Sequence, residues 1–176
     1  QHYIHRCFDL ARQGMGSVSP NPLVGCVIVK DGKIIGEGWH KQFGGLHAEA
    51  NAVNSVADKN HLAGSTVYVN LEPCAHVGKT PPCADLLIQH KVGKVVIANT
   101  DTNTLVGGKG IAKLKAAGIE VAQGVVEHEG RELNKRFFTF HEKQRPYIML
   151  QWSHTLDGFL ARTNYESKWG CNEQSR

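Results

Sequence analysis

The chain has 176 residues, of which 41% are hydrophobic and 20% are charged. This composition excludes a wholly disordered protein and is typical of one domain, or of one domain and a piece of another. The formal net charge is +4 and the basic residues are scattered, which favours an anionic small substrate over a nucleic-acid partner. No apolar run approaches the length of about 20 residues that spans a membrane, so we expect no membrane partner.

Helical and strand patterns alternate along the chain. Apolar residues at helical spacing predict a first helix that begins near Tyr3 and ends at Gly14. The dipeptide Asp31-Gly32 predicts a hairpin between strands over residues 23–29 and 33–38. The remaining predicted elements are a helix over 47–57, a strand over 66–71, a helix over 83–90, a strand over 94–99, a helix over 109–117, a strand over 119–122 and a helix over 127–140.

This order predicts an α/β fold. One hairpin followed by strand–helix alternation gives a mixed sheet of about five strands with an antiparallel edge, covered by helices on both faces as a three-layer α/β/α sandwich. Arg145-Pro146 marks a boundary, so we assign residues 1–145 to one domain. Residues 146–176, which open with a predicted strand over 147–153, are too few for a domain and are interpreted as the truncated beginning of a second one.

Five cysteines occur in a chain whose first residues lack the apolar segment of a signal peptide. An odd number of cysteines in that context indicates reduced thiols, which serve as metal ligands or core residues rather than as disulfides. We therefore expect a cytoplasmic protein. Cys7, Cys26 and Cys171 are interpreted as plain thiols.

Three segments carry residues with metal-binding chemistry: His47-Ala48-Glu49, Pro73-Cys74 and Pro82-Cys83. Histidine and cysteine are the ligands that zinc prefers, and one nitrogen with two sulfurs leaves a fourth position open, as in catalytic zinc sites. Each segment begins a predicted helix or lies just before one, where the partial positive charge of the helix N-terminus favours a thiolate. His47, Cys74 and Cys83 are the predicted zinc ligands.

Glu49 lies two residues after His47 at the start of the same predicted helix. A carboxylate at that position can take a proton from an activated water and deliver it to a leaving amine. The pattern H-x-E followed by P-C-x-x-C is the signature of zinc deaminases. Here eight residues, rather than two, separate Cys74 from Cys83, and the extra residues include His76 and Lys79, which can form a polar wall of a substrate site.

The string EPCAHVGKTPPC over residues 72–83 resembles the deaminase domain of the bifunctional riboflavin-biosynthesis deaminase/reductase family. The resemblance also takes in residues 21–25, 38–40, 44–49, 101–103 and 106–110, and so covers essentially residues 1–145. It implies a fold of the cytidine-deaminase type. It further implies that a set of polar residues binds the substrate: Asn21, His40, His76, Lys79, Asp101 and Asn103.

The tail resembles the opening of that family's dihydrofolate-reductase-like domain, through residues 155–158 and 167–169. The resemblance implies an NADPH cofactor in the intact protein, with Ser153, Ser167 and Trp169 at the cofactor site. Two positions depart from the family: Gln151 stands where it usually has lysine, and Phe159 where it usually has a basic residue. Residues 146–176 also lack most of the nicotinamide site that the resemblance implies, so we expect no reductase activity from them.

The implied reaction is the hydrolytic removal of the 2-amino group of 2,5-diamino-6-ribosylamino-4(3H)-pyrimidinone 5′-phosphate, which releases ammonia, by a homo-oligomeric enzyme. Three alternatives stay open at this point. The first is a closed structural zinc site completed by His76. The second is a zinc deaminase of a nucleoside or a nucleic-acid base. The third is a binding module that zinc stabilises but that catalyses nothing.

Overall fold

The computed structural model describes residues 1–76, 81–103, 107–152, 154, 156, 158–160 and 163. The chain divides into two units, Gln1–Pro146 and Tyr147–Arg176. All described helices and strands belong to the first unit. In chain order they are α1 (His2–Arg12), β1 (Gly25–Lys30), β2 (Lys33–Trp39), α2 (Ala48–Ser55), a short 3-10 helix (Lys59–Leu62), β3 (Thr66–Leu71), α3 (Cys83–Gln89), β4 (Lys94–Asn99), α4 (Lys109–Ala116), β5 (Glu120–Ala122), α5 (Glu127–Leu133) and α6 (Lys135–Lys143).

The five strands form one mixed sheet in the order β2-β1-β3-β4-β5. β1 pairs antiparallel with both β2 and β3, whereas β3, β4 and β5 run parallel. The turn between β1 and β2 has positive φ at Asp31 (49°) and at Gly32 (74°), the conformation that this two-residue hairpin requires. The predicted mixed five-stranded sheet is confirmed.

Side chains alternate between the two faces of the sheet because successive residues of a strand point in opposite directions. On one face, Ile28, Val67 and Ile97 pack in the main core with α2, α3 and α4. On the other face, Val27 and Val96 pack under α1 and the residues around α5. Every central strand is therefore apolar on both sides, as the three-layer prediction requires.

Helix α2 lies directly on β2 because glycine lets the two backbones approach each other. A Cβ atom at Gly38 would lie 2.3 Å from the Ala52 nitrogen and 2.7 Å from the Ala48 carbonyl oxygen. Such contacts do not occur in real structures, so any larger residue would push the helix away from the sheet. This close packing fixes the start of α2, where His47 and Glu49 lie.

Two sequence expectations about elements are wrong. The single helix predicted over 127–140 is two helices, α5 and α6, which meet at Asn134. The strand predicted over 147–153 is absent from residues 147–152, which are neither helix nor strand. Their side chains are exposed, for example 78% at Leu150, and a strand needs a neighbouring strand with which to form its hydrogen bonds. Within the described part of the chain, no helix is both long and apolar enough to cross a bilayer.

Candidate metal and active site

The three predicted metal ligands come from three separate elements that meet at one edge of the sheet. His47 is the residue that precedes α2, with extended backbone angles (φ −70°, ψ 163°). Cys74 follows the carboxyl end of β3 by three residues, and Cys83 is the first residue of α3. The carboxyl ends of parallel strands and the amino ends of the following helices meet at this edge, which is the usual position of sites in α/β folds.

The donor atoms of these three residues form a compact group. The Nδ1 atom of His47 lies 3.5 Å from Sγ of Cys74 and 3.4 Å from Sγ of Cys83, and all three donors lie within 4.8 Å of one another. Tetrahedral zinc, with bonds of about 2.0–2.1 Å to nitrogen and 2.3 Å to sulfur, separates an N and an S ligand by about 3.6 Å. The residues present therefore fit zinc in both type and spacing.

The two thiols differ in pKa, and a bound dication would favour the ionised form of both. Hydrogen bonding with the Cys83 thiol, and further with His47, lowers the pKa of Cys74. Hydrogen bonding with Cys74, together with burial, raises the pKa of Cys83. Without a cation only one of the pair ionises readily, because two buried thiolates side by side repel each other. A bound divalent metal removes that penalty.

Glu49 lies in the first turn of α2 and is buried, with 3% of its surface exposed. Burial raises the pKa of its carboxyl group to about 7, and the nearby charge of Cys74 contributes in the same direction. The neighbouring Cys83 thiol also affects the pKa of this carboxyl group. Glu49 is thus a buried carboxyl group beside the metal-ligand cluster, the kind of group that can transfer protons there.

Asn21 and His40 form a hydrogen-bonded pair. The Leu46 carbonyl oxygen accepts from Nδ1 of His40 at 2.9 Å, so Nε2 accepts from the Asn21 amide at 3.0 Å. Burial lowers the pKa of His40, which favours this neutral form. Its ring also packs edge-on against the ring of His47, with centroids 5.7 Å apart. These contacts connect the Asn21 loop to the metal-ligand cluster.

The loop after β4 carries two more predicted substrate residues. The Asn103 N–H donates to the Asp101 side chain at 2.7 Å, and burial raises the pKa of Asp101. His76 is exposed but close enough to Asp101 for its charge to affect that carboxyl group. Four other predicted site residues lie outside the described part of the chain: Lys79, Ser153, Ser167 and Trp169.

Three buried polar residues near the site were not predicted as site residues from the sequence. Glu72 accepts three backbone N–H bonds from the loop after β4 and from the start of α4. Asn134 binds both the N–H and the carbonyl oxygen of Leu23, each at 2.8 Å, and Asn70 donates to the same carbonyl at 2.9 Å. Glu72 stands directly after an apolar strand and opens the string over residues 72–83, but neither observation assigned it a role. The sequence gives no signal for the two asparagines.

Comparisons with known proteins agree with the resemblance that the sequence motifs indicate. Residues 1–99 match the model of the cytidine and deoxycytidylate deaminase zinc-binding region. A riboflavin biosynthesis protein RibD from Actinobacillus pleuropneumoniae is 48% identical over 99% of the chain and 46% of its own length. A diaminohydroxyphosphoribosylamino-pyrimidine deaminase from Buchnera aphidicola is 48% identical over 77% of the chain and 91% of its own length.

A solved structure extends this similarity to three dimensions. The RibD of Acinetobacter baumannii superimposes with a TM-score of 0.94 at 45% identity, over 99% of the chain and 48% of its own. The chain therefore spans about half the length of the RibD proteins that it matches.

Proposed function

Because the chain belongs to the cytidine and deoxycytidylate deaminase zinc-binding family, and within it to the diaminohydroxyphosphoribosylaminopyrimidine deaminases of riboflavin biosynthesis, we propose that it is an aminohydrolase acting on a cyclic amidine. Its proposed substrate is 2,5-diamino-6-ribosylamino-4(3H)-pyrimidinone 5′-phosphate. Water replaces the 2-amino group, and the products are 5-amino-6-(5-phosphoribosylamino)uracil and ammonia. The observation that carries the proposal is the buried carboxyl group of Glu49 beside the cluster of His47, Cys74 and Cys83.

Each residue of the cluster has a proposed role. His47, Cys74 and Cys83 hold zinc, which when bound supplies a Lewis acid that lowers the pKa of the attacking water towards about 7. Glu49 accepts a proton from that water as its oxygen bonds to the ring carbon bearing the amino group. Glu49 then donates the proton to the amino nitrogen as the carbon–nitrogen bond breaks. Because Glu49 makes both transfers, it must be a non-ligand carboxylate within reach of the reacting atoms.

The proposed substrate contacts lie in two loops and in the segment between the cysteines. Two hydrogen-bonded pairs orient the pyrimidine ring: Asn21 with His40, and Asp101 with Asn103. His76 and Lys79 bind the ribose phosphate, to which a cation contributes both charge and hydrogen bonds. These six assignments rest on the resemblance of their motifs to the family, and the hydrogen-bonded pairs described above support the first four.

Three wider expectations remain proposals. The matched relatives are about twice as long as the chain, so we propose that the intact protein also carries an NADPH-dependent reductase, with Ser153, Ser167 and Trp169 at its cofactor site. A cytoplasmic location is proposed from the reduced cysteines. A homo-oligomeric state is proposed as well, and light scattering of the purified protein would measure it.

Ammonia release by the zinc-loaded protein tests the proposed reaction. We expect rapid release from the diaminopyrimidinone ribotide, little from cytidine, and loss of release after the metal is chelated. Release from cytidine alone would retain the chemistry and overturn the substrate assignment. Release from neither substrate by a protein that still binds zinc would favour a non-catalytic zinc module.

A further inference from the structure

The carboxylate of Glu72 is buried and accepts three hydrogen bonds from backbone N–H groups. Only 4% of the residue is exposed. One carboxylate oxygen accepts from the N–H of Gly108 at 2.9 Å and of Asp101 at 3.2 Å, and the other accepts from the N–H of Ile111 at 3.1 Å. A buried carboxyl group without hydrogen-bond partners would be strongly unfavourable, so these three bonds stabilise Glu72 at this buried position.

The three donors belong to the loop after β4 and to the first turn of α4. Helix α4 begins at Lys109, and the residue before it is Gly108, which has no side chain to cap the free N–H groups of the first turn. Glu72 supplies that cap from the end of β3. Its negative charge also lies at the positive end of the helix, where it is stabilising.

Near Glu72, the start of α4 packs so closely against neighbouring backbone that Gly107 and Gly110 have no space for a side chain. A Cβ atom at Gly110 would lie 1.9 Å from the Pro73 carbonyl oxygen, and one at Gly107 would lie 2.7 Å from the Asp101 carbonyl oxygen. The start of α4 is therefore in direct contact with the backbone that leads to Cys74. Displacing either side would change the distance between the metal-ligand segment and the loop after β4.

We infer that Glu72 is a positioning residue, which holds Asp101 and Asn103 at a fixed distance from the metal ligand Cys74. Glu72 precedes Cys74 by two residues and binds the Asp101 N–H directly, while the Asp101 side chain in turn binds the Asn103 N–H. This inference rests on the proposed function in one respect, namely that Asp101 and Asn103 contact the substrate. The Glu72 carboxylate is directed at backbone donors, so we assign it a positioning role and not a catalytic one.

Glu72→Gln is the variant that tests this role. Glutamine has the same shape, but one oxygen becomes an NH₂ group, which cannot accept from an N–H donor. Ser65→Ala is the control, because it removes a buried hydrogen bond, to the Leu62 carbonyl, just before the other end of β3. Amide hydrogen exchange, which needs no substrate, should show faster exchange at Asp101, Gly108 and Ile111 in E72Q alone.

Steady-state kinetics on the diaminopyrimidinone ribotide supply the second measurement. We expect E72Q to raise KM by about tenfold or more, with zinc content unchanged and kcat within a fewfold, and S65A to change neither constant. In the double variant E72Q/N103A, KM should be close to that of N103A, because Glu72 acts through the same loop. Unchanged KM in E72Q, or full additivity in the double variant, would contradict the inference.

The outcomes separate this inference from the proposed function. If wild-type protein does not deaminate the ribotide, the proposed function fails, and hydrogen exchange alone decides the role of Glu72. Faster exchange confined to the three amides then supports it, and unchanged or globally faster exchange overturns it. If E72Q does not fold, Gly110→Ala replaces it, since the added methyl group displaces α4 from Pro73 without changing any charge and should raise KM in the same way.

Discussion

Glu49, in the first turn of α2, is buried beside the cluster of His47, Cys74 and Cys83. We expect Glu49→Gln to retain about one zinc ion per chain and to lose roughly 10²–10⁴-fold in kcat, since the amide cannot accept or return a proton. Zinc analysis and ammonia release measure the two properties on the same sample. Glu129→Gln, on the exposed surface of α5, is the control and should be unaffected. Near wild-type turnover in E49Q would remove Glu49 from the reaction.

Cysteine variants distinguish metal ligands from core thiols. Cys83→Ala should abolish stoichiometric zinc binding, because only one nitrogen and one sulfur of the three donors remain. Cys26→Ala should keep about one zinc ion per chain, even if it lowers stability, since Cys26 lies inside the sheet core and outside the ligand group. Metal content after dialysis measures the difference. Full zinc occupancy in C83A would contradict the ligand assignment.

At the scale of elements, Arg6 of α1 and Glu37 of β2 form a bidentate ion pair, with N···O distances of 2.7 and 2.9 Å. The hydrogen bonds from Arg6 lower the pKa of Glu37 below its usual value of 4.5. The pair therefore contributes stability fully above about pH 5, and the contribution is lost as the pH falls through the lowered pKa of the folded state.

Glu37→Gln should accordingly reduce the free energy of unfolding at pH 7 by about 0.5–1 kcal/mol, a modest value because both side chains are partly exposed. The difference from wild type should shrink as the pH falls through the lowered pKa of Glu37 in the folded state, where the native carboxyl group becomes protonated. Urea unfolding at several pH values measures this. Glu127→Gln, at an exposed position of α5, serves as the control. A difference that stays constant with pH would show that the ion pair is not its cause.

The boundaries of β3 and β4 were predictable because their apolar runs are long and unbroken, and both span the predicted residues. The helix break at Asn134 was not, because Asn134 binds Leu23, 111 residues away, and a local pattern contains no information on such a contact. The same distinction, between local patterns and distant contacts, applies to the site residues. Histidine and cysteine indicate metal binding by their residue type and spacing. Glu72 and Asn134 instead bind backbone groups of distant loops, and no local sequence pattern predicts those contacts.

At the scale of the whole molecule, the division after Pro146 predicts an independent deaminase. A chain that ends at Pro146 should fold cooperatively, bind one zinc ion and keep kcat and KM within about twofold. The Buchnera deaminase is matched over 91% of its own length within 136 aligned residues, which supports the expectation. Thermal unfolding, zinc analysis and ammonia release on both chains provide the measurements. Loss of folding or of zinc in the shorter chain would contradict the proposed domain boundary.

The two cysteine ligands are joined to each other by the backbone as well as by their shared position. The Ala84 N–H donates to the Cys74 carbonyl oxygen at 3.0 Å, and the Cys83 N–H lies 3.4 Å from the Cys74 sulfur. Cys74 and Cys83 are therefore held together independently of the residues between them. Since each doubling of a closed loop costs only about 0.6 kcal/mol, the segment between Cys74 and Cys83 should tolerate inserted or deleted residues while the proposed metal site keeps its geometry.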